Sequence, residues 1–302
     1  MNGETATLSV RSRNDVNILF VASSGDIVDG DNVASSSSFV ADREDEYFLY
    51  FVGGLGQRDD VSISLEVAAG DAAPTARPQY VLLDFDGTDR VELSSGVERV
   101  GLAETDLKAF GETVDERELL GQIQSTVEKL ICERLQAIFA PYAIHVIMEQ
   151  ENAGGNSYST VYFTQNEGPL SGDTFETVTP ASATDDDDCA ACILYGEAGP
   201  DLGNGRLDDD AIVYVGSFVG IPPTSISDWV NLMAHAAAHE IGHLLGLQHI
   251  RRSTDIMWGR FDVGFLRDIG FGRGQVVINE QLVEFLFQNP ERYLERIVGL
   301  SP

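Results

Sequence analysis

Over the first seventy residues apolar side chains recur at every second position, with Tyr47, Leu49 and Phe51 in one run and Val61, Ile63, Leu65 and Val67 in another. Gly, Asn, Asp and Ser gather between such runs, in SSGDIVDGDN and GGLGQRDD. A period of two puts successive side chains on opposite faces, which is the pattern of short half-buried strands joined by turns. A small all-β, sandwich-like accessory domain is therefore expected over residues 1–73. Asp26, Asp29 and Asp31 read as turn residues, with calcium binding the less favoured alternative, because Asp and Gly are ordinary turn formers. At AAGDAAPTARP the alternation gives way to Ala, Pro and Gly, and a linker is placed at residues 74–79.

From residue 80 to 302 the pattern becomes strands interleaved with helices, an α+β arrangement. YVLLDFDG, AIHVIMEQ, STVYFTQ and AIVYVGSF read as strands. Between Asp115 and Ala140 the apolar positions Leu120, Ile123, Val127, Ile131, Leu135 and Ile138 recur at spacings of three and four, giving one apolar face of a long helix that Pro141 ends. A second helix starts after Pro222 and Pro223, where Ser225 and Asp228 have the spacing of a capping box, and runs from Trp229 to Leu245. The tail from Asn279 to Val298 reads as helical structure interrupted by Pro290.

Composition narrows the function. Asp and Glu outnumber Lys and Arg by 49 to 19, a formal charge of −30, so no basic footprint exists for a phosphate backbone and nucleic acid is not an expected partner. MNGETATLSV has neither a basic nor an apolar leader pattern, and no run of eighteen apolar residues predicts a membrane span. Three cysteines make no disulfide framework: Cys132 falls beside the apolar stripe of the long helix and reads as packed. Cys189 and Cys192, behind four aspartates, lack the positive surroundings that a reactive thiolate needs.

Four of the five histidines fall within fifteen residues, in a segment that ends HEIGHLLGLQH. On a helix His239 and His243 stand one turn apart on one face and can reach a single ion. His249 can join them only if the chain bends, and Gly246 stands where the bend must come, because glycine takes the left-handed conformation that ends a helix without a Cβ clash. Three neutral imidazoles with an open fourth position form the ligand set of a catalytic zinc ion. Glu240, about 100° around the helix from His239, stands beside that ion as a general base rather than a ligand.

His239, Glu240, His243, Gly246 and His249 resemble the long zinc signature of the metzincin metallopeptidases, and Met257 in STDIMWG takes the place of the family's turn methionine below the ligands. The resemblance implies a metzincin-like catalytic domain over residues 80–302: a twisted mixed sheet, a backing helix, the zinc helix and a small C-terminal subdomain. It implies a secreted zinc endopeptidase acting on a polypeptide substrate, with residues 258 to 270 helping to line a substrate pocket. Two features depart from the family. Gly259 stands where several metzincin groups place a tyrosine, so no tyrosine contact to zinc is expected, and Ile250 matches no common subfamily marker.

The remaining polar residues have plainer readings. His235, one turn before His239, reads as packed or as hydrogen-bonded behind the ligands, and His145 as a core residue. In DLGNGRLDDD the carboxylates Asp201, Asp208, Asp209 and Asp210 are candidates for Ca2+, although Gly203 and Gly205 at the third and fifth positions exclude an EF-hand. The rival functions are a catalytically silent zinc protein serving as an adhesion module, against which Glu240 argues, and a zinc hydrolase of non-peptide amides. Natural substrate and oligomeric state are not written in these patterns.

Overall fold

The computed structural model describes residues 4–11, 16–33, 36–41, 47–52, 62–69, 76–93, 96–171, 192–193, 195–218, 225–259, 269–278 and 281–301. Its N-terminal strands are β1 (Glu4–Arg11), β2 (Val16–Ala22), β3 (Asp26–Val33), β4 (Ser36–Ala41), β5 (Tyr47–Val52) and β6 (Ser62–Ala69). β7 (Gln79–Asp84), β8 (Thr88–Glu92) and β9 (Glu98–Leu102) follow, then α1 (Val114–Ile138) and β10 (Ile144–Ile147). Next come β11 (Ser159–Thr164), β12 (Leu170–Ser171), β13 (Cys192–Ile193), β14 (Gly196–Ala198), β15 (Asp210–Tyr214) and α2 (Ile226–Leu244). β16 (Gly274–Ile278), β17 (Gln281–Gln288) and α3 (Pro290–Ile297) end the chain, which is thus a mixed α+β protein.

A five-stranded sheet in the order β10-β7-β11-β15-β14 carries the centre of the molecule. Its first four strands pair in parallel and β14 joins antiparallel as the terminal strand. Alternation along β15 explains how both faces are covered. Ala211 and Val213 enter the main core with residues of α1 and α2, while Ile212 and Tyr214 pack on the opposite side against Val91, Leu93 and Leu102 around the β8–β9 hairpin. That hairpin is pinned to the terminal strand by Arg99, whose guanidinium makes two bonds of 2.8 Å to the carboxylate of Glu197, and Tyr214 donates its hydroxyl to the same carboxylate at 2.8 Å.

α1 forms where its three-and-four spacing predicts, with Thr113 and Glu116 capping each other's backbone N–H groups at its start and Val127, Ile131 and Leu135 buried on one face. Cys132 is buried on the same helix, as its position beside the stripe implies. α2 begins at Ser225, whose side chain accepts from Asp228 N–H, and its residues from Leu232 onward are all buried.

Three sequence expectations are corrected. His145 is exposed on β10 beside Tyr80 rather than a core residue, because the strand's alternation turns Ile144 and Val146 inward instead. Asp26, Asp29 and Asp31 lie in β3 rather than in a turn, because β3 finds a partner in β2 over most of its length and cross-strand pairing overrides turn propensity. Residues 281–288 are a strand rather than a helix, and Pro290 opens α3 at its first turn, behind the Asn289 cap, instead of interrupting one. The tail strands also join the N-terminal sheet, whose order is β16-β17-β3-β2-β5.

Candidate metal centre

The end of α2 builds the site. Gly246, at φ +88, closes the helix with Leu247 N–H bonded to Gly242 O and Gly246 N–H to His243 O, both at 2.8 Å, a paired arrangement that needs a left-handed residue between them. A Cβ at Gly246 would come within 2.8 Å of Asp201 O and 2.5 Å of the Tyr293 hydroxyl, so space as well as φ demands glycine. The chain then doubles back. His249 O accepts from Val277 N–H at 2.9 Å, Arg251 N–H donates to Gln275 O at 2.8 Å, and Ile250 N–H donates to Met257 O at 2.9 Å. The third histidine is thereby held between β16 and the turn at 255–258.

The outcome is convergence of three imidazoles. The Nε2 atoms of His239 and His249 are 3.0 Å apart, and that of His243 is 3.1 Å from each. Bonds of about 2.0–2.1 Å from a tetrahedral zinc would separate such nitrogens by about 3.3 Å, so the three fit one ion. His239 Nδ1 donates to Ile256 O at 2.6 Å and His243 Nδ1 to Leu247 O at 2.8 Å, which places the ring proton on Nδ1 and leaves the Nε2 lone pair for a metal. Burial pushes His239 down to about 4 and, with His239 beside it, His243 to about 3. His249 is lowered by the same burial and by its two neighbours, so all three stay neutral and ready to bind. Among the described residues this is the one group of His, Cys, Asp or Glu side chains close enough to share an ion. His235 is buried and stands outside it.

Glu240 and Met257 lie against the same helix end. Glu240 is 2% exposed, and a Cβ built on Gly196 of β14 would overlap its Oε1. Met257 is fully buried, and a Cβ on Gly242 would overlap its Sδ; this contact explains the one glycine within the helix. Met257 N–H donates to Asp255 Oδ1 at 2.9 Å, which closes the turn at 255–258. Gly259 leaves room for the third imidazole, since a Cβ there would stand 3.0 Å from His249 Cγ and Nδ1.

The four acids of DLGNGRLDDD are not gathered. Asp201 accepts from Arg206 N–H at 2.7 Å and gives its own N–H to His243 O at 3.0 Å. Asp209 is buried and accepts from Ser159 Oγ at 2.5 Å, Asp210 opens β15, and Asp208 is exposed. The loop thus braces the helix end, with Tyr293 reaching it through a 3.0 Å bond from Gly203 N–H. Cys189, and residues 260 to 268 of the expected pocket lining, lie outside the described residues. Gly196 and Gln288, both against the site, carry no local sequence signal and were not expected there.

Three converging imidazoles next to a buried carboxylate form a group that can hold a metal ion. Residues 164–265 match the family model Matrixin, and with the three-histidine cluster this match supports a metzincin-type, zinc-dependent metalloendopeptidase. Neither the curated proteins nor the solved structures supply a match to the chain. Among the described residues no helix is long and apolar enough to cross a membrane.

Proposed function

We propose that the protein is a zinc endopeptidase, secreted like the matrixins it resembles, in which His239, His243 and His249 hold the metal and Glu240 is general base and then general acid. The observation that carries this reading is the mutual 3.0–3.1 Å spacing of the three Nε2 atoms beside a buried glutamate. When bound, zinc with an open position supplies Lewis acidity, lowering the pKa of water and polarising a carbonyl. Glu240 takes onto its carboxylate the proton given up by the attacking water and returns it to the leaving amine nitrogen. Met257 forms the apolar floor of the turn that carries His249, and calcium at the acidic loop is no part of the proposal.

The substrate is a polypeptide, laid extended along β14, the terminal strand of its sheet, where backbone pairing would hold the scissile bond over Glu240. The peptidase unit is assigned to residues 80–302, with residues 1–73 as an all-β accessory segment and 74–79 between them. The test is cleavage of a mixed peptide library by the protein and its Glu240→Ala variant, with zinc content measured in both. Cleavage by the parent alone, at equal zinc, is expected, with turnover lower by at least about a hundredfold in the variant. Equal cleavage by both would end the Glu240 mechanism.

A further inference from the structure

The turn that delivers His249 receives support from an unexpected quarter. Gln288, fully buried at the end of β17, bonds that turn with both its side-chain oxygen and its side-chain nitrogen. Its Oε1 accepts from Gln248 N–H at 2.7 Å, and its Nε2 reaches Gly246 O at 3.4 Å. Both partners lie between the second and third histidines, and the side chain that serves them comes from 40 and 42 positions downstream. The paired bonds that close α2 set the direction at Gly246; the next three residues must still be steered so that His249 comes round to face the helix. Gln288 bonds to that connecting backbone, and β16 bonds to the backbone of His249 itself.

Gln288 is in turn held by the N-terminal strands. Phe287 and Gln288 pair in parallel with Asp26 and Ile27, and Phe287 N–H donates to Gly25 O at 2.8 Å. Arg273, just before β16, binds Asp26 Oδ1 at 2.6 Å while its guanidinium lies 4.1 Å from the centre of the Phe287 ring. An unbroken series of bonds therefore runs from β3 through β17 to the backbone between His243 and His249.

We propose that Gln288 is a positioning residue for the zinc centre, and that through it the N-terminal β segment is a permanent brace of the third ligand rather than a removable accessory. The proposal rests on the zinc reading above. Its logic is preorganisation: a ligand already held at its binding position loses less freedom when the metal arrives, and groups that orient ligands typically contribute about ten- to a hundredfold in affinity.

The experiment is zinc affinity of the full-length chain by chelator competition, together with the visible spectrum of the cobalt-substituted form, for the parent, Gln288→Met and Leu135→Ala. Gln288→Met keeps length and apolar bulk but neither hydrogen bond. Leu135→Ala opens the core of α1 and controls for a general loss of stability. Weakening by about tenfold or more, with an altered cobalt spectrum, is expected for Gln288→Met alone. Parent-like affinity and spectrum in Gln288→Met, with zinc held by the parent, would overturn the brace and leave the zinc reading standing. Equal weakening in both variants would also overturn it, as a mere stability effect. A parent that holds no zinc would overturn the zinc reading and the brace with it. Should Gln288→Met fail to fold, amide hydrogen exchange on the parent decides. Gln248 and Val277 N–H groups protected in the metal-free chain support the brace, and protection that arises only on adding zinc refutes it.

Discussion

Gly196 and Glu240 share one small volume: the terminal strand crosses α2 so closely that a single Cβ on the glycine would fall on the glutamate's Oε1. Since the neighbouring Glu197 turns away from α2 toward Arg99 and Tyr214, Gly196 sets the height at which Glu240 can stand. Gly196→Ala should keep zinc, because no imidazole moves, yet lower turnover by about a hundredfold, the scale expected when a reacting group is displaced by about 1 Å. Parallel zinc and peptide-cleavage assays check this, and wild-type turnover would show that the carboxylate has slack.

Gly259 and His249 form a second tight pair. A methyl group at 259 would press on the imidazole at 3.0 Å and tilt it away from its partners. Gly259→Ala should weaken zinc by about tenfold while Glu240 stays in place. Chelator competition reads the effect directly. His249→Ala should lose the bound metal outright, and unchanged zinc content there would remove His249 from the ligand set.

At Gly246 the penalty falls on the fold itself. Alanine at φ +88 is strained by about 1–3 kcal/mol, and its Cβ also meets Asp201 O and the Tyr293 hydroxyl. Gly246→Ala should lower the melting temperature by about 2 °C or more even without metal. A melting temperature equal to the parent's would mean that the turn relaxes freely.

Asp209 supplies a pH dependence whose sign can be worked out. Burial, opposed by the Ser159 hydrogen bond and reinforced by Asp201 and Asp210, raises its carboxyl to about 7. Between about pH 4 and 7 the folded chain holds a proton that the unfolded chain has released, so this contribution is complete below about pH 4 and is lost as pH rises through 7. Asp209→Asn, neutral throughout, should therefore gain stability relative to the parent as pH climbs from 5 to 8. Denaturant melts at several pH values test it, and a constant difference between the two proteins would show that Asp209 is ionised throughout.

The elements legible in the sequence are those whose causes are local. The apolar stripe of α1, the Ser225 cap and the Gly246 stop all depend on neighbours within a few positions, as does the spacing that brings three imidazoles together. β17 is different. QLVEFLFQ has apolar residues at helical spacings, and what makes it a strand is β3 on one side and β16 on the other. β3 in turn is rich in Asp and Gly and reads as a turn until β2 pairs with it. Gly196 was equally hidden, because nothing in YGEAGP announces a helix passing behind it.

The Arg273–Asp26 clamp joins residues 247 positions apart, and the strand pairing beside it spans more of the chain still. Such contacts form slowly, since all of the chain between the two segments must be present before they can pair. A ribosome must have released every residue through β17 before that strand could reach β3. On the peptidase reading proposed above, the third ligand is thus set only after β17 has been made, and an enzyme assembled in that order has no finished cutting site while its own chain is still unfolded and open to attack.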